Sequence, residues 1–335
     1  MALRIVEHSG LTDTGRQRQS NEDRFLDAAP VFAVADGMGG ARAGEVASRI
    51  ALEAFASGGD TDAAPETQLA EIARAANRRI WQLSQEDEAR AGMGTTLTAV
   101  IVADREVAIG HVGDSRLYRL RDGGLERLTT DHSLVEELVR RGELAPDEAE
   151  SHPQKSIITR ALGPEPDVEV ETFTCAAQDG DVYLLCSDGL TGMVSEDDVA
   201  AILRESPSLD QGARALVDAA NRAGGKDNIT VVLFRLGAGD EDARAETDTL
   251  SGSDTQAAVD AAEVRAAVAA AEAERGSTAR HPVASGPDGP VDRDDATIVV
   301  GGTIPKRDVP TLQQLGVAAV FPVSSSLDEI VDFAK

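Results

Sequence analysis

Aromatic side chains make up only 3% of this 335-residue chain, with a single tryptophan. A core built largely without them has to come from Val, Leu, Ile and Ala, and the 41% hydrophobic content supplies them. Cysteine is nearly absent. Cys175 and Cys186 form no C-x-x-C pair and flank a strand-like run, so they read as two small buried hydrophobes in a reducing, cytoplasmic setting. Positive charge is scarce too: 32 Lys and Arg stand against 59 Asp and Glu, a net −27. Such a chain repels nucleic acid and anionic membrane and is compatible with basic protein segments. No run of about 18 apolar residues exists, so no membrane span is expected. The first residues are polar (Glu7, His8, Asp13, Arg16), so no leader peptide is expected either.

What the chain does have is aspartate at the edges of apolar runs. Val31-Phe-Ala-Val-Ala-Asp36-Gly37, Val107-Ala-Ile-Gly-His-Val-Gly-Asp114 and Val182-Tyr-Leu-Leu-Cys-Ser-Asp188-Gly189 read as strand ends. Gly225-Lys-Asp227-Asn228 leads into the strand-like Ile229–Phe234, and Arg18-Gln-Ser-Asn21-Glu22-Asp23 is a fifth acidic segment. A strand end holds a carboxylate rigidly while the strand behind it stays buried. Several carboxylates gathered there repel one another unless cations neutralise them. The pattern therefore points to a carboxylate-lined binuclear metal site.

Residues 1–237 read as one domain. Strands are expected at Val31–Ala35, Thr95–Ala103, Val107–Val112, Leu117–Leu120, Val182–Cys186 and Ile229–Leu236, with a hairpin turn at Arg121-Asp122-Gly123-Gly124. Helical patterns cover Glu45–Phe55, Gln68–Leu83, Leu134–Arg141, Glu196–Glu205 and Asp210–Ala223. Strands that follow one another directly argue for antiparallel sheets covered by helices. Residues 238–295 are acidic and rich in Ala, Gly and Pro, the composition of a linker. Residues 296–335 return to strand–helix alternation, a β-α-β-α fragment of about 40 residues, too small to be stable alone.

From about Gly10 to Phe234 the chain resembles the bacterial PPM (PP2C-type) metal-dependent protein Ser/Thr phosphatases. The resemblance rests on Arg18-x-x-Asn21-Glu22-Asp23, Asp36-Gly37-Met38-Gly39-Gly40, Gly94-Thr95-Thr96, Gly113-Asp114-Ser115-Arg116, Asp131-His132-Ser133, Ser187-Asp188-Gly189-Leu190 and Asp227-Asn228-Ile229-Thr230, in the family's order. A single Asp-Gly marks an ordinary turn; seven ordered segments are specific. The resemblance implies an α+β fold, a four-layer α-β-β-α sandwich of two antiparallel sheets. It also implies two Mn²⁺ or Mg²⁺ ions bridged by Asp36, with the Gly37 carbonyl on one ion and Asp188 and Asp227 on the other. Glu22 and Asp23 would act through metal-bound water, and Asp114 with Asp188 would hold a third ion. Arg18 resembles the family's phosphate-binding arginine, and a guanidinium suits that task because it grips two oxygens at once.

The reaction so implied is hydrolysis of phosphoserine and phosphothreonine by direct attack of a water bridging the metals, with Arg18, Asp36 and Asp23 as catalytic residues. Phosphoproteins, including Ser/Thr kinases, would be the partners. One departure stands out: Met38 occupies the place of a histidine that eukaryotic members carry as proposed general acid, which leaves a metal-bound water or His132 for that role. Thr95 and Thr96 are expected to pack and hydrogen-bond near the site, and His111 to be a strand residue. Asp131 to about Pro166 resembles the family's mobile flap, with Arg140, Arg141, Lys155 and Arg160 giving it a basic tint.

The last segment, with Ile298-Val-Val-Gly301-Gly302-Thr-Ile-Pro305 and Leu315-Gly-Val-Ala-Ala-Val-Phe-Pro322, resembles the end of the cobalamin-binding domain of methylmalonyl-CoA mutase-type enzymes. The D-x-H-x-x-G loop is missing and His281 lies in the linker, so cobalamin is not expected as a ligand. Two other readings of the chain stand beside an active phosphatase. One is an inactive phosphatase fold that only docks phosphoproteins; the other is a cobalamin-linked regulator acting through the tail.

Overall fold

The computed structural model describes residues 3–39, 43–56, 63–86, 90–149, 152–238, 299–302 and 319–322. The chain opens with β1 (Leu3–Asp13), β2 (Arg24–Ala28), β3 (Val31–Ala35) and the two-residue β4 (Gly37–Met38). Helices α1 (Ala43–Ala56) and α2 (Pro65–Glu86) follow, then the short β5 (Gly94–Thr95) and strands β6 (Leu97–Ala103), β7 (Glu106–Val112), β8 (Arg116–Arg121) and β9 (Gly124–Arg127). After α3 (Leu134–Arg140) and α4 (Pro146–Ala149) come β10 (Glu171–Ala176), β11 (Val182–Cys186), α5 (Asp188–Thr191), α6 (Glu196–Glu205), α7 (Leu209–Arg222) and β12 (Ile229–Ala238).

Two five-stranded sheets result, ordered β1-β12-β11-β8-β9 and β10-β7-β6-β3-β2. Every pairing within them is antiparallel. Three apolar layers hold the sandwich together. One lies between the second sheet and α1/α2, built on Ile50, Leu52, Leu69, Ile80 and Leu97. A second packs α6 and α7 on the first sheet through Leu203, Leu216, Leu184 and Leu233. The third fills the space between the sheets with Phe32, Val34, Ile109, Leu185 and Phe234. The few aromatics concentrate in that middle layer: Phe234 stacks on Phe32 and on Tyr183, with centroids 4.6 and 4.8 Å apart. The two outer layers are mostly aliphatic, with Phe55 in one and Tyr118 in the other.

The helices begin where the sequence caps them. Ser133, Ser195 and Ser208 each sit extended before α3, α6 and α7 and accept a hydrogen bond from a backbone N–H of the first turn, satisfying donors that a helix start otherwise leaves orphaned. The Arg121–Gly124 segment closes the β8–β9 hairpin, with Asp122 and Gly123 both at positive φ, the geometry that matches strand twist. The expected strand Thr95–Ala103 is broken at Thr96 into β5 and β6. Both cysteines are free thiols, Cys186 buried and Cys175 half-buried.

In the tail, β13 (Val299–Gly302) pairs in parallel with β14 (Ala319–Pro322). The two helices expected in the β-α-β-α fragment, the linker from 239, Gly40 and His281 lie outside the described residues.

Candidate metal and phosphate site

Each chemistry-bearing aspartate lies at the start or end of a largely buried element. Asp36 directly follows β3, and its main chain is held on both sides by the Thr95-Thr96 pair. Thr96 Oγ1 accepts from the Asp36 N–H at 2.9 Å, while Thr95 Oγ1 donates to the Asp36 carbonyl at 2.9 Å. Gly37 then passes so close to α1 that a Cβ there would stand 2.2 Å from the Gly44 carbonyl oxygen. Only glycine permits that approach. Asp188 opens α5 immediately after β11 and Ser187, rather than ending a strand. Asp114 follows the end of β7, and Asp227 precedes β12.

Asp23 is fully buried. Its Oδ2 accepts from Thr230 Oγ1 at 2.6 Å and from Ser187 Oγ at 2.8 Å. Asn228 is a hub: its Oδ1 accepts from the Glu22 N–H at 2.8 Å, and its Nδ2 donates to the carbonyls of Thr14 and Ser20. The loop carrying Arg18 and Glu22 is thereby tied to the segment carrying Asp227. Arg18, half exposed, pairs through Nη2 with Asp227 Oδ2 at 2.7 Å.

These acids feel one another. Burial pushes Asp36 well above the carboxylate range, and Asp23, Asp188, Asp114 and Asp227 push it further. Burial raises Asp114 to about 7, reinforced by Asp188 and Asp131. Asp188 is raised by burial and by Asp227, and a hydrogen bond with Asp36 partly offsets this. Asp23 is raised to about 6 by burial, against the pull of Thr230 and Ser187. Glu22 is raised chiefly by burial, while the Arg18 charge opposes the shift. The fold thus collects the five aspartates picked out in the sequence, with Glu22 and Arg18 at the rim.

Three carboxylate oxygens here, Asp23 Oδ1, Asp114 Oδ1 and Asp188 Oδ1, are buried without a hydrogen-bond partner. An unpartnered buried charge is costly, and hard divalent cations are what such oxygens accept. Among the described residues no three acidic, histidine or cysteine side chains close on one point as a ready cage. A cation here would complete its shell with backbone carbonyl and water, which suits Mg²⁺ and Mn²⁺. By that test the residues fit the ions.

The flap is rooted in a half-buried ion network that carried no role in the sequence reading. Arg116 grips both oxygens of Asp131 at 2.8–3.2 Å, and Arg127 adds a contact at 2.7 Å. His132 is held at both ring nitrogens: the Gly113 N–H lies 3.0 Å from Nδ1, and Glu171 Oε2 lies 3.1 Å from Nε2. That makes His132 a support for the Asp114 turn. His111 is buried between Thr98 and the Thr130 carbonyl, and burial lowers it to about 3. A cleft of about 920 Å³ runs from Asp114 and Asp188 between the flap and the α5–α6 segment.

Residues 13–222 match the family described as protein phosphatase 2C. The chain belongs to that family. The phosphatase is 45% identical over 233 residues to the serine/threonine phosphatase Stp of Listeria monocytogenes, covering 66% of this chain and 92% of the relative. It is 41% identical over 241 residues to protein phosphatase PhpP of Streptococcus pneumoniae, covering 69% and 98%. The crystal structure of the Mycobacterium tuberculosis serine/threonine phosphatase PstP superposes with a TM-score of 0.66 at 40% identity, over 71% of this chain and all of that one. A PstP catalytic domain in complex with two manganese ions gives 0.64 at 38% identity, over 71% and 99%. The two-sheet α+β sandwich is the architecture of these enzymes, and the chain is a PPM-type protein serine/threonine phosphatase. Among the described residues no helix is long and apolar enough to cross a membrane.

Proposed function

We propose that this phosphatase works on phosphoserine and phosphothreonine with two Mn²⁺ or Mg²⁺ ions held by Asp36, the Gly37 carbonyl, Asp188 and Asp227. Asp114 would contribute to a third ion, with Glu22 and Asp23 acting through water. The observation that carries this is the trio of buried, unpartnered carboxylate oxygens on Asp23, Asp114 and Asp188. The two manganese ions in the PstP complex support it. When bound, such ions acidify water and neutralise charge on a transferring phosphoryl group.

The protein's own groups do the rest. Thr230 and Ser187 occupy Asp23 Oδ2, which leaves Oδ1 to accept a hydrogen bond from water. Arg18 is exposed enough to exchange Asp227 for two phosphate oxygens. Met38 has no proton to give, and His132 is engaged at both nitrogens. The leaving alkoxide therefore takes its proton from water rather than from either side chain. The partners would be phosphoproteins, Ser/Thr kinases among them, in the cytoplasm.

The test is hydrolysis of p-nitrophenyl phosphate by EDTA-treated protein with and without added Mn²⁺, with ion binding read by calorimetry. Chelator-resistant turnover, or no heat of binding, would overturn the assignment.

A further inference from the structure

The cleft beside Asp114 and Asp188 is larger than a phosphate needs. Its 920 Å³ lies near the top of the range for small-molecule pockets, about 300–1,000 Å³. It has one polar end, where the buried Asp114 and Asp188 oxygens lack partners. From there it runs past apolar side chains on both walls, Val135 and Val139 of α3 against Met193 and Val194. Asp188, assigned to the metal pair together with Asp227, lines this end, so a phosphoryl group held by Arg18 beside Asp227 would sit next to it and lead its polypeptide along this channel.

Most charges along the channel are already spent on one another. Arg116 and Arg127 both bind Asp131, and Glu196 accepts from Tyr118 Oη at 2.9 Å. Two charges are left with no partner among the described residues: Lys155 on the flap wall and Asp197 in the first turn of α6. Asp197 is exposed at the rim, on the wall that also carries Glu196.

We propose that this cleft seats the polypeptide flanking the phosphoresidue and that Asp197 selects a basic side chain there. The inference rests on the metal and phosphate assignment for the orientation of the substrate, and it adds a sequence preference. Asp197 forms no ion pair among the described residues and stands beside Glu196 on an acidic wall, so it acts as a steering and register contact for a basic partner residue, with Lys155 left to the flap wall. The apolar stretch between it and the aspartates accommodates the intervening residues, at about 3.3 Å per extended residue.

The experiment compares two phosphothreonine peptides that differ only in carrying Arg or Glu at flanking positions, with p-nitrophenyl phosphate as the readout of the catalytic centre alone. The full chain with Mn²⁺ should show a higher kcat/KM for the Arg peptide, by about fivefold at low salt and less as salt rises. Asp197→Lys should abolish or invert that ratio. Glu71→Lys, the same charge change on an exposed position of α2, should leave it in place, because a bulk-charge effect would respond equally to both. Fluorescence anisotropy with labelled peptides in metal-free buffer reads the same preference as binding, independently of turnover. Equal kcat/KM and equal binding for both peptides would overturn the proposal while p-nitrophenyl phosphate turnover stands. Equal loss of preference in the two charge variants would overturn it as well. Absent p-nitrophenyl phosphate turnover with a preserved binding preference would instead fault the metal assignment alone.

Discussion

Arg18 and Asp227, more than two hundred positions apart in sequence, meet in an ion pair with Nη2 2.7 Å from Oδ2. The arginine read as a phosphate ligand is therefore docked on an aspartate read as a metal ligand. Arg18→Ala should raise KM for phosphorylated substrates and weaken inhibition by inorganic phosphate, each by about ten- to a hundredfold, with a smaller change in kcat. Arg18→Lys should recover only part of this, since an ammonium lacks the two-pronged fork. Steady-state kinetics with phosphate as competitor check both variants.

Asp36 is the group on which the other acids converge electrostatically. Asp36→Asn removes a negative charge where cations are to be held, so turnover should fall at least about a hundredfold. Calorimetric titration with Mn²⁺ should show the stronger binding event lost. The amide is nearly isosteric and relieves repulsion, so thermal stability without metal should hold or rise.

Metal and proton should compete for the same oxygens. Asp23, Asp36, Asp114 and Asp188 all have folded-state pKa values raised by burial and mutual repulsion. Between the ordinary carboxylate pKa and those raised values the folded state binds more protons than the unfolded one. Stability without metal from these groups therefore falls as pH rises. His111, lowered to about 3 by burial, has the opposite sign and costs stability as pH drops below about 6.5, but it is one group against four. Mn²⁺ should raise Tm by several degrees at pH 7.5 and by progressively less toward pH 5. Differential scanning fluorimetry across pH, with and without the ion, measures this directly.

Thr230 and Ser187 show what was hard to read from sequence. Both sit inside quoted motifs, yet nothing local says that they converge on Asp23. Pairing of β11 with β12 brings the two hydroxyls together, and Asp23, which precedes β2 of the other sheet, reaches them from across the sandwich. Thr230→Val should leave a buried carboxylate short of a donor, costing about 1–3 kcal/mol. Activity should fall about ten- to a hundredfold. Thr230→Ser, which keeps the hydroxyl, should rescue both.

Legibility followed burial. Strands sealed on both faces, β3 and β11, announced themselves as unbroken apolar runs, and the structure gives them the same bounds. β1 and β10 did not. β1 has Glu7, His8 and Ser9 in its middle and lies at a sheet edge, and β10 alternates Thr with Phe and Cys at the other sheet's edge. Edge strands are half solvated and need no apolar run. The metal-site aspartates were legible because each ends or begins a buried element. The Arg116–Asp131–Arg127 network was not, because ion pairing between a strand and a loop leaves no periodic trace.

Truncation after Ala238 should leave phosphatase activity and Tm near those of the full chain. The M. tuberculosis PstP structure is covered in full by the matching part of this chain, and β12 ends at Ala238. Assays of the two lengths side by side check this; a shortened protein that melts several degrees lower would assign the remaining residues a supporting role.

The ladder between β1 and β12 runs from Leu3↔Ala238 to Asp13↔Ile229. The first strand of this two-sheet fold to be synthesised is thus the last of its strands to find its neighbour, and among the described residues that neighbour alone joins it to a sheet. During synthesis Leu3–Asp13 waits unpaired while more than two hundred residues emerge, a delay that slows closure and exposes an open β edge. Once zipped, the same ladder ties the beginning of the catalytic fold to its end. Pulling the two ends of that fold apart peels this ladder open pair by pair from Leu3↔Ala238, and the force reaches the Asp13↔Ile229 end beside Asp227 only after the intervening pairs have parted.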